Sequence, residues 1–237
     1  MLPHTVSFFR RNEGIEPLFI IAEQVDQSPF NRGALVNHAY AACSSMIDYV
    51  CFHDVDYLPM WADYSEPSLP SRIIWYGLDV RPVGHGTNRA IHAQEHGLAA
   101  VSVMKKWHFE AANGYSNKYW GWGYEDTDLA ERLLSVGLPL GYKKGTFAAL
   151  DHDSNGYDAN GVTQVAKDNE KDFESRVFPD VLDGLSSLSA KVVAIETHMA
   201  AGLAKGETAP LLWCKYDLGE MYAIQKQKPR KIDVCGR

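Results

Sequence analysis

Short apolar runs recur along the chain, separated by longer stretches of mixed character. The run PLFIIAEQ (17–24) is brief and apolar, which predicts a buried strand. SPFNRGALVNHAYAACSS (28–45) opens with turn-forming residues and continues with Leu35, Ala39 and Ala42 at helical spacing, so it predicts a helix. YVCFHDVD (49–56) is β-branched and aromatic and predicts the next strand. SRIIWYG (71–77), LAAVSVM (98–104) and the apolar start of FAALDHD (147–153) predict further strands. Between the last two, Leu129, Leu133 and Val136 share one face of a helix over 126–136, which Gly137 stops. Strands alternating with helices predict an α/β fold around a mainly parallel mixed sheet, with helices on its faces. Toward the end, Val181, Leu185, Leu188, Val192 and Ile195 lie at helical spacing and predict a helical extension over 178–237, packed on a domain of 1–177.

Three places break this pattern with chemistry. The strand over 49–56 ends in Asp54-Val55-Asp56 after His53, although carboxylates are rarely placed in apolar runs unless paired or bound to a metal. In parallel α/β sheets ligands gather at the carboxyl ends of strands, where Asp54 and Asp56 fall. The second place is NGYSNKYWGWGYEDTDLAERLLSVG (113–137). Here glycines permit unusual backbone angles, and the tryptophans offer flat faces suited to sugar rings. Glu125, Asp126 and Asp128 follow at the helix start, where capping and the helix dipole are an alternative reason for acidic residues. The third is Asp151-His152-Asp153. On a continuing strand the two aspartates face one way and the histidine the other, so either His152 or the Asp pair meets a metal, not all three. Oxygen ligands with one imidazole favour Mn²⁺ over Mg²⁺.

Composition trims the alternatives. The chain has 237 residues, 46% hydrophobic and 22% charged, and a formal charge of −7 that argues against binding a nucleic-acid backbone. Cys43, Cys51, Cys214 and Cys235 form no CxxC pair, so neither a zinc site nor a disulfide framework is expected; Cys43 and Cys51 read as buried free thiols. No apolar run reaches the roughly 18 residues of a membrane span, and the first residues lack the pattern of a leader. A cytoplasmic chain is expected, either free or peripheral at the inner membrane face. His85, His92, His96 and His198 are read as ordinary hydrogen-bonding side chains.

FNRGALVNHAY, FHDVDYLPM and NGYSNKYWGWGYEDTDLAERL resemble, in order and spacing, three signature blocks of the β-1,4-galactosyltransferase family, glycosyltransferase family 7. The resemblance covers roughly residues 17 to 155 and extends in part to bacterial chondroitin-type polymerases and polypeptide GalNAc-transferases. It implies a GT-A fold, a UDP-sugar donor, a saccharide acceptor, Mn²⁺ and inversion at the anomeric carbon. Carried over by position, Phe30 and Arg32 would contact uridine, Asp54 would lie near the donor ribose and sugar, and Trp122 would close over both substrates. Asp56 and His152 would bind the metal, Glu125 would hold a sugar, and Asp126 would be the general base.

Departures from the family pattern sharpen these expectations. Ala99 and Ala100 stand where a glycine pair is expected. Gly97 or a neighbour occupies the position that senses the donor's C2 substituent, which leaves galactose and GalNAc both open. Ala149 stands in place of a methionine ligand, so Asp153, or alternatively Asp151, would complete the metal shell. The family's first strand has no clear counterpart, since SFFRRNEG (7–14) lies too close to the strand over 17–24. The chain is therefore expected to begin after that strand. Two other classes remain: a degenerate transferase domain that binds nucleotide or glycan without turnover, and a metal-dependent phosphohydrolase built on His53 and Asp54.

Overall fold

The sequence patterns above become elements in a computed structural model that describes residues 1–11, 15–75, 78–79, 98, 100–150, 157–158 and 161–227. In chain order the elements begin with helix α1 (Leu2–Arg11), strand β1 (Phe19–Gln24), helix α2 (Arg32–Cys43), and strands β2 (Tyr49–His53) and β3 (Tyr57–Ala62). Strands β4 (Ser71–Trp75), β5 (Leu78–Asp79) and β6 (Val101–Lys105) follow, then helices α3 (Lys106–Ala111) and α4 (Glu125–Ser135). The remainder comprises β7 (Gly141–Ala149), β8 (Tyr157–Asp158), β9 (Gly161–Val162), α5 (Gln164–Glu174), a 3₁₀ turn at Leu185–Ser187, β10 (Lys191–Ala201), β11 (Thr208–Asp217) and α6 (Gly219–Gln227).

One sheet runs β2-β6-β4-β7-β3 with β5 beside β7, and a second runs β1-β11-β10. The sheets are mixed. Parallel pairing joins β1 to β11 and β7 to β4 and β5, whereas the ladders β2–β6, β4–β6, β3–β7 and β10–β11 are antiparallel. The antiparallel ladder β10–β11 has a local cause. A parallel neighbour needs a long crossover, but these consecutive strands are joined by the short connection 202–207, where Gly202 N–H donates to the Glu207 carbonyl at 2.8 Å.

Helix α2 is the hub. Asn31 caps it by accepting from Ala34 N–H at 2.9 Å, and its buried residues surround the helix instead of forming one stripe. Leu35 and Cys43 pack with Leu212, Cys214 and Tyr216 of β11, while Tyr40 packs with Phe52, Phe109 and Tyr115 under the larger sheet. A third cluster, with Tyr64, Ile73, Val103 and Phe147, receives Phe8 and Phe9 from α1. Ser7 to Arg11 are thus helical, not a first strand. β1 pairs only with β11 and β2 only with β6, so each has one edge without a ladder among the described residues.

The structure corrects the C-terminal expectation. Instead of a helical extension over 178–237, the described residues of the segment form the hairpin β10–β11, and β11 adds to β1 in parallel; among the described residues only α6 is an α-helix there. The cluster Val192, Val193, Ile195 and Thr197 is β-branched, which favours a pleated strand over a helix, and the helical spacing spanned a 3₁₀ turn and a strand. Cys51 is also corrected, being exposed on β2, while Cys43 and Cys214 are buried free thiols.

Candidate active site

The carboxyl end of β2, the N-terminus of α2 and the start of α4 meet at one place. Arg32, the first residue of α2, donates through Nε and Nη2 to Asp54 Oδ1 at 3.2 and 3.0 Å, through Nη1 to the Tyr115 hydroxyl at 3.1 Å, and approaches Glu125 Oε1 at 3.9 Å. Its guanidinium also sits 5.3 Å from the Tyr115 ring centroid. One cation therefore gathers Asp54 and Glu125, which lie 71 positions apart in the sequence.

The approach of α2 to this point rests on small and polar residues. A side chain at Gly33 would collide with the Ser116 carbonyl oxygen. Asn37, fully buried, donates to the Tyr115 carbonyl at 2.8 Å and accepts from Tyr115 N–H at 2.9 Å. Asn31 donates to the Asn117 carbonyl at 2.9 Å. These bonds fix the loop that carries Tyr115, and buried polar groups are tolerated because they are satisfied.

The three acids at the start of α4 separate into two roles. Asp128 is buried and structural: it accepts from Tyr119 Oη at 3.0 Å and pairs with Arg132 at 2.5 Å and Arg176 at 2.8 Å. Arg176 and Arg132 also reach Asp183, at 2.8 and 3.2 Å, tying the 176–187 segment to α4. Glu125 is different. Its Oε2 is buried without a hydrogen-bond partner, and burial, then the neighbouring Asp126 carboxylate, push its carboxyl up to about 7 against the pull of Arg32. Asp126 Oδ1 accepts from Thr127 N–H at 2.8 Å and lies within electrostatic reach of Arg72, a buried side chain of β4. None of the three acids is the N-cap residue, since α4 starts from Tyr124 with φ 74° and no side-chain cap at that position.

The Trp-Gly-Trp-Gly loop is held from behind. Asn169 of α5 donates to the carbonyls of Trp120, Trp122 and Gly123 at 3.3, 3.0 and 3.2 Å. Gly121 N–H donates to the Phe30 carbonyl at 2.6 Å, its φ is +76°, and a Cβ there would lie 2.6 Å from Val165 Cγ1. Only one of the two tryptophans presents a face to solvent. Trp122 is exposed, as is Phe30; Trp120 is buried, donates to Gln225 at 2.6 Å and packs edge-on against Tyr222.

Asp56 is the one expected metal ligand within the described residues; Asp151, His152 and Asp153 lie outside them, as do Gly97, Ala99, His85, His92, His96 and Cys235. Leu150 N–H donates to the Asp56 carbonyl at 2.7 Å, so the end of β7 abuts the turn that carries Asp56. Among the described residues no three His, Cys, Asp or Glu side chains gather in a ready-made cage. The donor set nevertheless suits a hard divalent cation that keeps part of its coordination for a diphosphate: a carboxylate at a strand end, with Asp54 beside it already half-neutralised by Arg32. His53 does not join it. Its Nε2 lies 2.9 Å from Tyr64 Oη and its Nδ1 2.9 Å from the Asp54 carbonyl, and burial lowers its pKa, so the phosphohydrolase reading loses its histidine.

Arg32, Asp54, Glu125 and Asp126 were legible from the motifs, whereas Tyr115, Arg72 and Asn37 were not singled out. The available signal was polarity out of place: an arginine inside SRIIW and an asparagine, Asn37, within the apolar stretch of α2. Ala100 supplies a similar signal. It is buried with φ 66°, a left-handed backbone at a position where the family pattern has glycine, and its carbonyl accepts from Asp54 N–H at 2.9 Å.

Comparison with known proteins agrees with this geometry. A family model described as the N-terminal domain of galactosyltransferase matches residues 71–153. β-1,4-Galactosyltransferase 7 of Drosophila melanogaster is 30% identical over 200 residues, 82% of this chain and 58% of that protein. Xylosylprotein 4-β-galactosyltransferase of Caenorhabditis elegans is 30% identical over 142 residues, 58% of this chain and 46% of that protein. The chain thus spans about half the length of these curated relatives. The crystal structure of the catalytic domain of the Drosophila enzyme with xylobiose superposes with a TM-score of 0.66 at 27% identity, over 96% of this chain and 92% of that one. A mutant of the same enzyme, in complex with manganese, UDP-Gal and xylobiose, also gives a TM-score of 0.66, over 91% and 87%. With its GT-A fold and its signature residues meeting around Arg32, this chain belongs to the β-1,4-galactosyltransferase family, glycosyltransferase family 7.

Proposed function

We propose that this protein is an inverting glycosyltransferase that moves galactose, or GalNAc, from a UDP-sugar to a hydroxyl of a saccharide acceptor in the presence of Mn²⁺. The observation that carries this reading is the convergence of Arg32, Asp54, Glu125 and Asp126 at the carboxyl end of β2. It gains support from a structural neighbour that was captured with manganese, UDP-Gal and xylobiose.

The chemistry assigns each residue a task. Asp126 takes the proton of the acceptor hydroxyl as that oxygen attacks the anomeric carbon. The bond from that carbon to the UDP oxygen breaks on the opposite face, and its electron pair leaves with the diphosphate, so one base suffices and the configuration inverts. Glu125, poised near neutrality, can both donate to and accept from a sugar hydroxyl, and Arg32 orients it. Trp122 offers its exposed face to a sugar ring, and Phe30 and Arg32 border the uridine side. Asp56, with His152 and Asp153 or Asp151, would hold the metal, which when bound neutralises charge gathering on the departing diphosphate.

UDP release from UDP-Gal and UDP-GalNAc, with Mn²⁺ and with EDTA, tests the reading. Mn²⁺-dependent release from one donor in the presence of a saccharide acceptor is expected. A second reading, a domain that binds UDP without turnover, is favoured by the edges of β1 and β2 that carry no ladder. UDP binding with no release from either donor selects it.

A further inference from the structure

A second cleft opens on the edge pair β3–β7, beyond the strand ends that lead away from Asp56. It holds about 720 Å³ and is lined by Trp61, Asp63, Ser65, Tyr142 and Lys143, among others. Two large aromatic side chains of its wall stand in solvent. Trp61 is 57% exposed and Tyr142 is 55% exposed, although large aromatic rings are costly to leave in water. Trp61 pairs with Thr146 across the ladder, so Tyr142, four residues along β7, presents to the same face about 13 Å away at a rise of about 3.3 Å per residue.

The polar groups of the wall are already locked together. Asp63 Oδ1 accepts from Ser65 N–H at 3.0 Å and Ser65 Oγ at 2.6 Å, and pairs with Lys143 Nζ at 3.1 Å. Lys143 donates to the Ser65 carbonyl at 2.6 Å, and nearby Glu66 is matched by Lys105 at 2.9 Å. With Asp63 and Glu66 set against Lys143 and Lys144, the lining carries no formal net charge, which leaves little field for a polyanion. Fixed donors and acceptors flanked by exposed rings suit a ligand whose rings have apolar faces and hydroxyl rims. The spacing of the two rings suits several sugar units, not one.

We propose that the Trp61–Tyr142 cleft is a second, non-catalytic binding site for a neutral oligosaccharide. It lies about 13 Å from Tyr57 at Trp61 and about 23 Å from Ala149 at Tyr142, counted along the strands. It is therefore set apart from the turn that carries Asp54 and Asp56. Such a site retains a long acceptor between transfers, or tethers the protein to a glycan whether or not transfer occurs. The inference goes beyond the transferase reading and stands without it.

The test is direct binding, followed on the indole N–H signals of Trp61 and Trp122 in ¹⁵N-labelled protein, each assigned by a Trp→Phe substitution. Titration with xylohexaose and cellohexaose is expected to move the Trp61 signal. Tyr142→Ala is expected to weaken that response about tenfold, as for removal of an aromatic anchor, while Tyr142→Phe preserves it and controls for folding. Trp122→Ala should leave the response at Trp61 intact. Failure of the transferase reading would silence the donor assay and leave Trp61 responsive. An unmoved Trp61 signal with both hexasaccharides overturns the inference, as does a signal that responds to heparin alone.

Discussion

Replacing Glu125 by glutamine removes one ionisable group from the most strained electrostatic position in the site and leaves its shape nearly unchanged. Burial and the adjacent Asp126 raise the Glu125 carboxyl from an ordinary 4.5 to about 7 in the folded chain. A rise of that size corresponds to about 3 kcal/mol of disfavoured ionisation. The folded-state value lies above the unfolded one, so the stability linked to the neutral carboxyl is fully present below about pH 4.5. It is lost as the pH rises through about 7. Between about pH 5.5 and about pH 8.5 the wild-type chain should therefore lose about 2 kcal/mol that the Glu125→Gln chain does not lose. Urea unfolding of both proteins at the two pH values, without metal or nucleotide, reads this difference of differences and cancels every other titrating group. Parallel losses in the two proteins would refute the placement of Glu125 in a desolvated, acid-flanked position.

Three further outcomes follow from single contacts. Asp128→Asn leaves Arg132 and Arg176 facing a neutral amide inside the protein and should destabilise by about 3 kcal/mol or more in chemical unfolding; a loss below about 1 kcal/mol would mean the network relaxes freely. Ala100→Gly relieves a left-handed alanine. It should leave stability unchanged or raise it by up to about 1 kcal/mol, the strain relief being partly offset by the freer unfolded chain, and a clear loss would contradict that conformation. Asn169→Ala removes the donor shared by three carbonyls of the tryptophan loop. Faster amide exchange confined to residues 120–124 is expected, and unchanged exchange would show that the loop is fixed from elsewhere.

The sequence carried the elements that have strong local signals. Apolar runs marked β1, β2, β4, β6 and β7, and turn chemistry marked the start of α2 and the end of α4. What it did not carry was pairing. The helical spacing over 178–207 was real as spacing, but β11 is a strand because β1 offers it a parallel ladder 192 positions upstream, from Phe19 opposite Leu211 to Gln24 opposite Tyr216, and no local pattern reports a partner at that distance. For the site the division is similar. Arg32, Asp54, Glu125 and Asp126 were legible because they stand in motifs. Tyr115 and Arg72 acquire their meaning only from a side chain on another element, Arg32 in one case and Asp126 in the other. Asp128 shows the converse: an acid in the same motif, separated from its neighbours only by the buried arginines that it meets.

The measurement closest to the central claim is transfer by Asp126→Asn against wild type, at donor concentrations where both bind UDP-Gal equally by calorimetry. The account predicts that the variant keeps donor binding and loses at least about a hundredfold in UDP release to a saccharide acceptor, the scale of a missing general base. It also predicts that the wild-type product has the opposite anomeric configuration to the donor, read by the proton coupling at the new linkage. Transfer at near wild-type rate in the variant, or retention of configuration in the product, would contradict it.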